Sequence, residues 1–443
     1  MRTSTSILFF LSLLLSGCNS EPRKAETNLV KETTVADIES GIRAHIKSAT
    51  ARFDGSFPLP YEEDTLYLNL VRVHTEYLSN LGPERHFACV DLADENGDVF
   101  DVDFFLSGKP GAMEVTETTV HKRNGKPFYT WKQLEDKTWE RVKVDKADQK
   151  LMGVIENKDS FRFYYDVFVP EIEGEGTLWL PVPQTNAFQE IELLESPAGG
   201  EIKIEEKNGN RYWVGKVNRA RKMRFIYDVT RKEKAPYEDA DIIPSDYLGA
   251  SPLMPVGGRF EGLVKEILKD HADDSKLMQA RAIYDYIIDT VRYRKAGKYG
   301  TGDANYACDT RSGNCTEFHS LFISLARSAR IPARFAIGAA IPSARNEGGV
   351  NGYHCWAEFY AEGKWWPVDI SEANKYSALA TYYFGHHPAN RIEFSRGRDL
   401  IMNPSPSTDA VPFFAYPILE VNGIPVAIET KFSFERRKSV SSS

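Results

Sequence analysis

The sequence has few cysteines, a single long apolar run and no cluster of basic residues. Its 63 aspartates and glutamates outnumber its 55 lysines and arginines, which gives a formal net charge of −8. Nucleic-acid binding depends on Lys and Arg contacts to phosphates, so this charge balance gives no reason to expect it. The sequence also lacks a group of His, Cys, Asp and Glu with the spacing of a metal site. We therefore expect no nucleic-acid partner, no metal and no cofactor.

The one long apolar run lies near the N-terminus. After Arg2, residues 7–15 read ILFFLSLLL. A helix that crosses a bilayer needs about 20 residues, so this run is too short for one but is typical of a signal-peptide core. The next residues, Leu15-Ser16-Gly17-Cys18, resemble the lipobox of bacterial lipoproteins. We expect a signal peptide over residues 1–17 and a lipidated Cys18 with a polar tether over residues 18–34; an ordinary signal peptide with a chance cysteine is the alternative.

These features predict a protein of the bacterial cell envelope, held at a membrane by its lipid and facing the periplasm or the exterior. No other apolar run is long enough to cross a bilayer. Asn19 follows Cys18, where an Asp often marks retention in the inner membrane, so the outer membrane is favoured. No feature of the sequence predicts the oligomeric state.

The cysteines allow at most one disulfide. The chain has five: Cys18, Cys89, Cys308, Cys315 and Cys355. If Cys18 is lipidated and Cys315 is a working thiol, three remain. A Cys308–Cys355 bridge is one alternative, and buried free thiols are the favoured one.

The length of 443 residues predicts about three domains at roughly 150 residues each. Residues 35–145 are typical of a helix followed by an antiparallel meander, because Asn-Gly turns separate alternating segments. The isoleucines that define the helix recur every four residues: Ile38, Ile42 and Ile46. No chemistry is predicted here, and we interpret the isolated His86 and His121 as structural.

Two further regions follow. Residues 151–235 contain six short alternating segments separated by turns, which favours a β-sandwich. Residues 240–434 begin with helical periodicity over residues 276–291 and end in a hairpin around Asn422-Gly423. Residues 435–443 are predicted to be a disordered tail.

The third region places a thiol where it is able to ionise. Apolar residues at helical spacing predict a helix from Cys315 to about Arg330. Asn314 precedes it as a cap, and Glu317 stands where it closes a capping box. Cys315 is therefore in the first turn, where free N–H groups and the helix dipole stabilise a thiolate.

An imidazole and a carboxylate follow on a predicted hairpin. His354 lies in an alternating strand, and Glu362-Gly363 can turn the chain into a second strand that leads to Asp369. If the loop has two residues, His354 and Asp369 share a face and lie within side-chain reach. An odd loop would separate them. Each residue alone has an ordinary interpretation, as a packed thiol, a structural His or a turn Asp, but together they predict a Cys-His-Asp triad.

Several segments resemble the core of the transglutaminase-like superfamily. They are Arg311-Ser312-Gly313-Asn314-Cys315-Thr316-Glu317-Phe318, Ile331-Pro332-Ala333-Arg334, Tyr353-His354-Cys355-Trp356-Ala357-Glu358 and Trp366-Pro367-Val368-Asp369. The segment Leu178-Trp179-Leu180-Pro181-Val182-Pro183 also resembles the β-domain that precedes this core in bacterial members. The resemblance covers residues 240–400. It implies an α+β protein, with a papain-like transglutaminase core preceded by a β-sandwich and a small helix-plus-antiparallel-sheet domain.

The resemblance also implies roles for the triad. Cys315 is then the nucleophile, His354 the base and Asp369 the residue that orients it. Arg330 departs from the family pattern, which has Gly before Ile331-Pro332, and we expect backbone strain there. His319, one helical turn after Cys315, is not part of the triad, and core packing is its favoured role. The calcium used by animal transglutaminases is not predicted.

The predicted function is that of a thiol enzyme acting on amide bonds of proteins or peptides. A thioester on Cys315 is resolved by water in a protease or amidase, or by an amine in a cross-linking enzyme; hydrolysis is favoured. Trp356, Trp365 and Trp366 are candidates for lining the substrate cleft, with sheet core as the alternative for at least one of them. The rival prediction is a surface-anchored binding or assembly protein without turnover. The substrate itself is not predicted.

Overall fold

In a computed structural model, the chain is described over residues 33–437, except residues 62–63, 76–77, 83, 134–138, 144–153, 296, 344, 376–378 and 409. The expected signal peptide, Cys18 and most of the tether lie outside these residues. No helix within the described part of the chain is both long and apolar enough to cross a membrane.

The first region is a helix packed on an antiparallel sheet, as predicted. Thr34 caps α1 (Val35–Thr50), and Asp37 completes a capping box. The sheet order is β1-β2-β4-β5-β6-β7, with β3 paired to β4. A separate pair, β8 and β9, follows. The strands are β1 (Phe57–Tyr61), β2 (Asp64–Val73), β3 (Ser79–Gly82), β4 (Arg85–Ala93), β5 (Val99–Lys109), β6 (Ala112–Arg123), β7 (Lys126–Pro127), β8 (Tyr129–Gln133) and β9 (Trp139–Lys143).

Side chains alternate across this sheet and give its two faces different neighbours. One face packs Val90 and Val102 against the buried isoleucines of α1. The opposite face carries buried polar residues, among them Cys89 and Asp101. Val71 of β2 joins the apolar core of the following regions. The first sheet therefore packs against the rest of the protein on its polar side.

The second region supplies most of a β-sandwich. Its strands are β10 (Lys158–Val169), β11 (Gly176–Val182), β12 (Gln189–Glu195), β13 (Gly200–Ile204), β14 (Arg211–Val217) and β15 (Arg221–Lys232). The two sheets have the orders β12-β15-β10-β25-β19 and β13-β14-β11-β23-β24. The later strands that join them are β19 (Glu347–Val350), β23 (Ile418–Val421), β24 (Ile424–Val426) and β25 (Glu429–Arg436).

The C-terminal segment therefore differs from its predicted assignment to the third region. β23 and β24 do form a hairpin around Asn422-Gly423, but β23 pairs with β11 of the sandwich. β25 crosses to the other sheet and pairs with β10 over eight residues, ending at Arg436. The predicted tail thus begins too early, because Arg436 pairs with Phe161 and its Nε atom lies 3.0 Å from Oδ1 of Asp159. The sequence pattern around Asn422-Gly423 predicted these strands, but it does not show which sheet they join.

The third region packs helices against a four-stranded sheet of order β21-β20-β18-β22. A short parallel pair, β16 and β17, lies before the central helix α5. The helices are α2 (Arg259–Ile267), α3 (Lys276–Thr290), α4 (Ala304–Thr310), α5 (Cys315–Ser328) and α6 (Ile370–Lys375). The strands are β16 (Arg292–Tyr293), β17 (Ser312–Gly313), β18 (Ala333–Ala340), β20 (His354–Ala361), β21 (Lys364–Val368) and β22 (Arg391–Arg396).

The central helix is buried along nearly its whole length. Residues from Cys315 to Arg327 are all buried, including the polar ones. Phe322 packs edge-on against Phe359 of β20, with ring centroids 5.9 Å apart. α5 is thus fixed against the sheet that carries the predicted imidazole and carboxylate.

Candidate active site

Cys315 is the first residue of α5, and the predicted capping box is confirmed. Oδ1 of Asn314 accepts a hydrogen bond from the Thr316 N–H at 2.8 Å. The N–H of Asn314 donates to Oε2 of Glu317 at 2.9 Å. Gly313 is needed before the cap, since a Cβ there would lie 2.3 Å from Cβ of Glu317. The cap fixes the thiol at the positive end of the helix, where a thiolate is stabilised.

The hairpin after it has the even loop that the triad requires. Ala361 pairs with Lys364, so Glu362 and Gly363 form a two-residue loop. Nε2 of His354, at the start of β20, then lies 2.6 Å from Oδ2 of Asp369. Asp369 comes directly after β21. The predicted proximity of the imidazole and the carboxylate is confirmed.

Asp369 is held from both sides. Its Oδ1 atom accepts hydrogen bonds from Oγ of Ser371 at 3.0 Å and from the N–H of Glu372 at 3.1 Å. These contacts place the carboxylate at the start of α6, so it is also a helix cap. The side chain is fully buried. One carboxylate oxygen of Asp369 therefore caps α6, and the other orients His354.

The charges of the three groups depend on one another. Burial alone would raise the pKa of Asp369, but the charge of His354 and its hydrogen bond hold that pKa well below the usual range. Burial alone would lower the pKa of His354, but the Asp369 carboxylate and a hydrogen bond to Cys315 raise it to about 9. Burial likewise opposes ionisation of Cys315, yet hydrogen bonds from Cys355 and His354 and the His354 charge hold its pKa well below the ordinary thiol value. Near neutral pH the site therefore contains a thiolate, an imidazolium and a carboxylate.

A second thiol, that of Cys355, belongs to this site, although no sequence pattern predicted it there. Burial and the neighbouring Cys315 raise the pKa of Cys355 well above its ordinary value, so it stays protonated and donates its S–H to the Cys315 thiolate. Alternation in β20 puts Cys355 on the face opposite His354, and that face packs against α5. Its Sγ atom lies 3.6 Å from Nδ1 of His319. His354 and Cys355 are the first two residues of β20, and both act on Cys315.

None of the four described cysteines forms a disulfide. Cys308 is half-buried, and Nη2 of Arg259 lies 3.3 Å from its sulfur. The favoured prediction of free thiols is thus confirmed for Cys89, Cys308, Cys315 and Cys355.

His319 joins the two halves of the site. Its Nε2 atom accepts a hydrogen bond from the N–H of Ile370 at 3.1 Å, so Nδ1 carries the proton. Nδ1–H donates to the carbonyl oxygen of Cys315 at 2.7 Å. Burial lowers the pKa of this imidazole, which fits a neutral ring. We predicted core packing for His319. Its two hydrogen bonds instead join the first turn of α5 to Ile370, the residue after Asp369.

The three tryptophans do not line an open cleft. Trp356 and Trp365 are 0 % exposed and Trp366 is 3 % exposed. Trp356 packs on His387 with ring centroids 4.2 Å apart, and the Arg334 guanidinium lies 4.1 Å from the Trp365 ring. The Arg231 guanidinium of β15 lies 5.9 Å from the Trp356 ring, and Phe384, which follows α6, lies 6.4 Å from the Trp366 ring, so these side chains are core. This corrects the cleft assignment.

Tyrosines surround the thiol instead. The Cys315 charge contributes to raising the pKa values of Tyr293, Tyr353 and Tyr416, although burial is the larger cause for each. Nδ2 of Asn314 donates to the Tyr353 hydroxyl at 3.0 Å, and the Tyr353 N–H donates to the Tyr416 hydroxyl at 3.2 Å. Tyr416 is 38 % exposed. These rings form the outer side of the site. The position of Tyr353 directly before His354 was the one sequence signal that could have placed a tyrosine here.

Comparison with known proteins gives one family match. Residues 261–370 match the model of the transglutaminase-like superfamily. An uncharacterized protein of Haemophilus influenzae is 26% identical over 318 residues, which cover 59% of this chain and 85% of that protein.

Solved structures show weaker likenesses. A candidate cysteine protease from Cytophaga hutchinsonii is 19% identical, with a TM-score of 0.42, over 64% of this chain and 99% of that one. The periplasmic domain of TgpA from Pseudomonas aeruginosa is 16% identical, with a TM-score of 0.30, over 53% of this chain and 94% of that one. The matched family region contains Cys315 and His354 and ends one residue after Asp369.

Proposed function

Because residues 261–370 form a transglutaminase-like domain, we propose that this chain is a thiol enzyme that acts on amide bonds through a thioester on Cys315. The observation that carries the proposal is the buried thiolate–imidazolium–carboxylate arrangement of Cys315, His354 and Asp369. A structural core gains nothing from three coupled buried charges, since each must be desolvated. A catalytic nucleophile with a positioned proton donor, in contrast, requires these charged groups.

In the first step, the Cys315 thiolate attacks the carbonyl carbon of a carboxamide. The C–N bond breaks as the new C–S bond forms, and the His354 imidazolium gives its proton to the departing amine. Asp369 keeps the imidazole oriented and stabilises its charged form before that transfer. The N–H of Cys315, in the first turn of α5, is positioned as a donor to the oxyanion.

In the second step, neutral His354 takes a proton from water as the water attacks the thioester. The products are a carboxylic acid and the restored thiolate–imidazolium pair. An amine that reaches the thioester before water gives a new amide by the same proton transfers. We favour hydrolysis, with acyl transfer as the alternative outcome at the same site.

The predicted envelope location belongs to this proposal. Residues 1–17 read as a signal peptide and Cys18 as a lipid-attachment site. A lipid-anchored enzyme outside the cytoplasm would meet envelope proteins and peptidoglycan peptides as its substrates. The expected partners are therefore a protein or peptide substrate and the membrane that holds the lipid.

One observation favours the rival function of a surface-anchored binding or assembly protein. Cys315 is only 2 % exposed, so a substrate must displace part of the tyrosine layer to reach it. A covered thiol that never turns over is compatible with a binding role. The rival therefore predicts a Cys315 that is chemically silent in the folded protein.

Alkylation separates the two functions. Folded protein is treated with iodoacetamide at pH 7, and modification of each cysteine is followed by peptide mass spectrometry. An accessible thiolate at Cys315 reacts about tenfold or more faster than the half-buried Cys308, which is the internal control. A Cys315 no faster than Cys308 would contradict the proposal.

Substrate profiling then tests turnover. Envelope extracts are incubated with the wild type or with Cys315→Ser, and new N-termini, released ammonia and new amine conjugates are measured. Products formed by the wild type alone support hydrolysis or transfer, according to which appears. If the wild type and Cys315→Ser give the same products in the extracts, only the binding function remains.

A further inference from the structure

A second group of reactive side chains lies outside the Cys315 site, on the polar face of the first sheet. One ligand atom each from His74, Cys89 and Asp101 lie within 4.8 Å of one another. The three residues are 7 %, 3 % and 2 % exposed. An imidazole, a thiol and a carboxylate thus meet in a place shielded from solvent.

Strand register brings them together. Asp91 of β4 pairs with Asp101 of β5, and Cys89 pairs with Asp103 two residues away, so all four side chains point to one face. His74 follows β2, and its N–H donates to the carbonyl oxygen of Cys89 at 2.9 Å. The group is built from three strands, and its spacing along the sequence resembles no metal motif.

The distances within the group suit a shared cation. Sγ of Cys89 lies 2.8 Å from Oδ1 of Asp101. Zinc takes thiolate sulfur at about 2.3 Å and imidazole nitrogen or carboxylate oxygen at about 2.0–2.2 Å, which places tetrahedral ligand atoms about 3.5 Å apart. The observed separations, from 2.8 Å to at most 4.8 Å, bracket this value. A mixed set of sulfur, nitrogen and oxygen ligands favours zinc over calcium or magnesium, which take oxygen alone.

Asp91 supplies the independent observation. It is 0 % exposed, and among the described residues neither of its carboxylate oxygens has a hydrogen bond of good geometry. Oδ1 lies 3.0 Å from Nε2 of His74, and Oδ2 lies 3.1 Å from Nη2 of Arg281 on α3. A carboxylate beside a zinc-bound histidine commonly holds the ring in its ligating orientation.

The local charge also favours a cation. Three buried carboxylates share this face: Asp91, Asp101 and Asp103. Nζ of Lys122 lies 2.8 Å from Oδ2 of Asp101, and the Arg281 guanidinium is shared with Asp285 on its own helix. His121 lies 3.8 Å from both Asp101 and Asp103. A divalent cation bound here would lie among these three carboxylates and neutralise part of their charge.

We propose that His74, Cys89 and Asp101 bind a structural zinc ion, with Asp91 orienting His74. Arg281 joins Asp91 to α3, so the ion fixes the first sheet against the transglutaminase-like domain. It lies outside the Cys315 site and takes no part in its chemistry. Zinc binding by such a group stabilises the folded state because the unfolded chain lacks the preformed site.

The test measures metal rather than activity. The full chain is purified without chelator, and its zinc content is determined by mass spectrometry of the metal. We expect about one zinc per folded chain. After chelation, Co²⁺ replaces zinc and gives a thiolate-to-metal absorption band, which reports directly on the sulfur ligand.

Variants assign the ligands. Cys89→Ser is expected to lower the metal content about tenfold or more and to abolish the thiolate band. The matched control, Cys308→Ser, keeps both. If Cys89→Ser does not fold, His74→Asn and the cobalt spectrum of the wild type carry the test. A wild type that binds neither Zn²⁺ nor Co²⁺ at micromolar concentration, or a Cys89→Ser protein that keeps its metal, overturns the proposal.

Discussion

Replacing Asp369 by Asn tests the electrostatic core of the active site. The amide keeps the shape of the side chain and its contact with His354 but removes the charge 2.6 Å from Nε2. His354 then keeps the burial that lowers its pKa and loses the first of the causes that raise it. We expect the thiolate–imidazolium pair of the wild type to become a neutral thiol and a neutral imidazole near pH 7.

The magnitude follows from the pKa of His354. Its rise from 6.5 to about 9 corresponds to about 3 kcal/mol in favour of the imidazolium. Because that cation in turn stabilises the Cys315 thiolate, the alkylation rate of Cys315 at pH 7 should fall on the order of 100-fold in Asp369→Asn. The acid limb of its pH profile should move to higher pH.

The same pair has a pH-dependent effect on stability. A pKa raised in the folded state stabilises the protein fully below pH 6.5, and this stabilisation is lost as the pH rises through about 9. In the unfolded chain the Cys315 thiol keeps its proton up to about pH 9, whereas the folded thiolate has lost it, so Cys315 has the opposite effect over the same interval. The free energy of unfolding of the wild type, measured by urea titration at several pH values, should therefore stay nearly constant between pH 6.5 and 9.

The assay is iodoacetamide alkylation of Cys315 between pH 5 and 10, quantified on the Cys315 peptide. Glu362→Gln is the matched control, because it removes a carboxylate from the same hairpin at its exposed turn. Its profile should match that of the wild type. An acid limb that stays in place in Asp369→Asn would refute the conclusion that Asp369 sets the charge of His354 and, through it, of Cys315.

Two further predictions concern Cys355 and Arg330. Cys355→Ala removes a hydrogen bond to a charged sulfur, worth about 1.5 kcal/mol, so Cys315 alkylation at pH 6 should fall about tenfold, while Cys355→Ser keeps a donor and most of the rate. Arg330 has a φ of +62° after α5, which costs about 1 kcal/mol for a residue with a Cβ. Arg330→Gly should therefore raise the free energy of unfolding by about 0.5 kcal/mol after the entropy of glycine is subtracted, and Arg330→Lys should leave it unchanged in urea titrations.

Local sequence patterns predicted the parts of the site that depend on neighbours in the chain. The capping box of Asn314 and Glu317 and the two-residue loop at Glu362-Gly363 are set within a few residues, and both are confirmed. The positive φ of Arg330 was expected from the family resemblance, because the family has a glycine at this position. The loop places His354 and Asp369 in reach of each other, whereas the approach of Cys315 depends on the packing of α5 against β20.

Features that depend on packing between distant segments were not predictable in this way. Trp356 and Trp365 are core because other regions cover their sheet, which no local pattern shows. Cys355 contacts Cys315 only because α5 packs on its face of β20. The His74, Cys89 and Asp101 group likewise depends on the register of β4 and β5.

The position of β25 constrains how the chain reaches its native state. This strand lies beside β10 in the middle of a sandwich sheet, yet the whole transglutaminase-like domain separates the two in sequence. During synthesis, the edge of β10 stays open until residues 429–436 emerge, and open edges pair readily with other chains. The sandwich therefore cannot finish folding before its neighbour has been made, and a chain that stalls or is clipped before β25 exposes an adhesive edge. This sheet is therefore complete only in a chain that contains the whole transglutaminase-like domain.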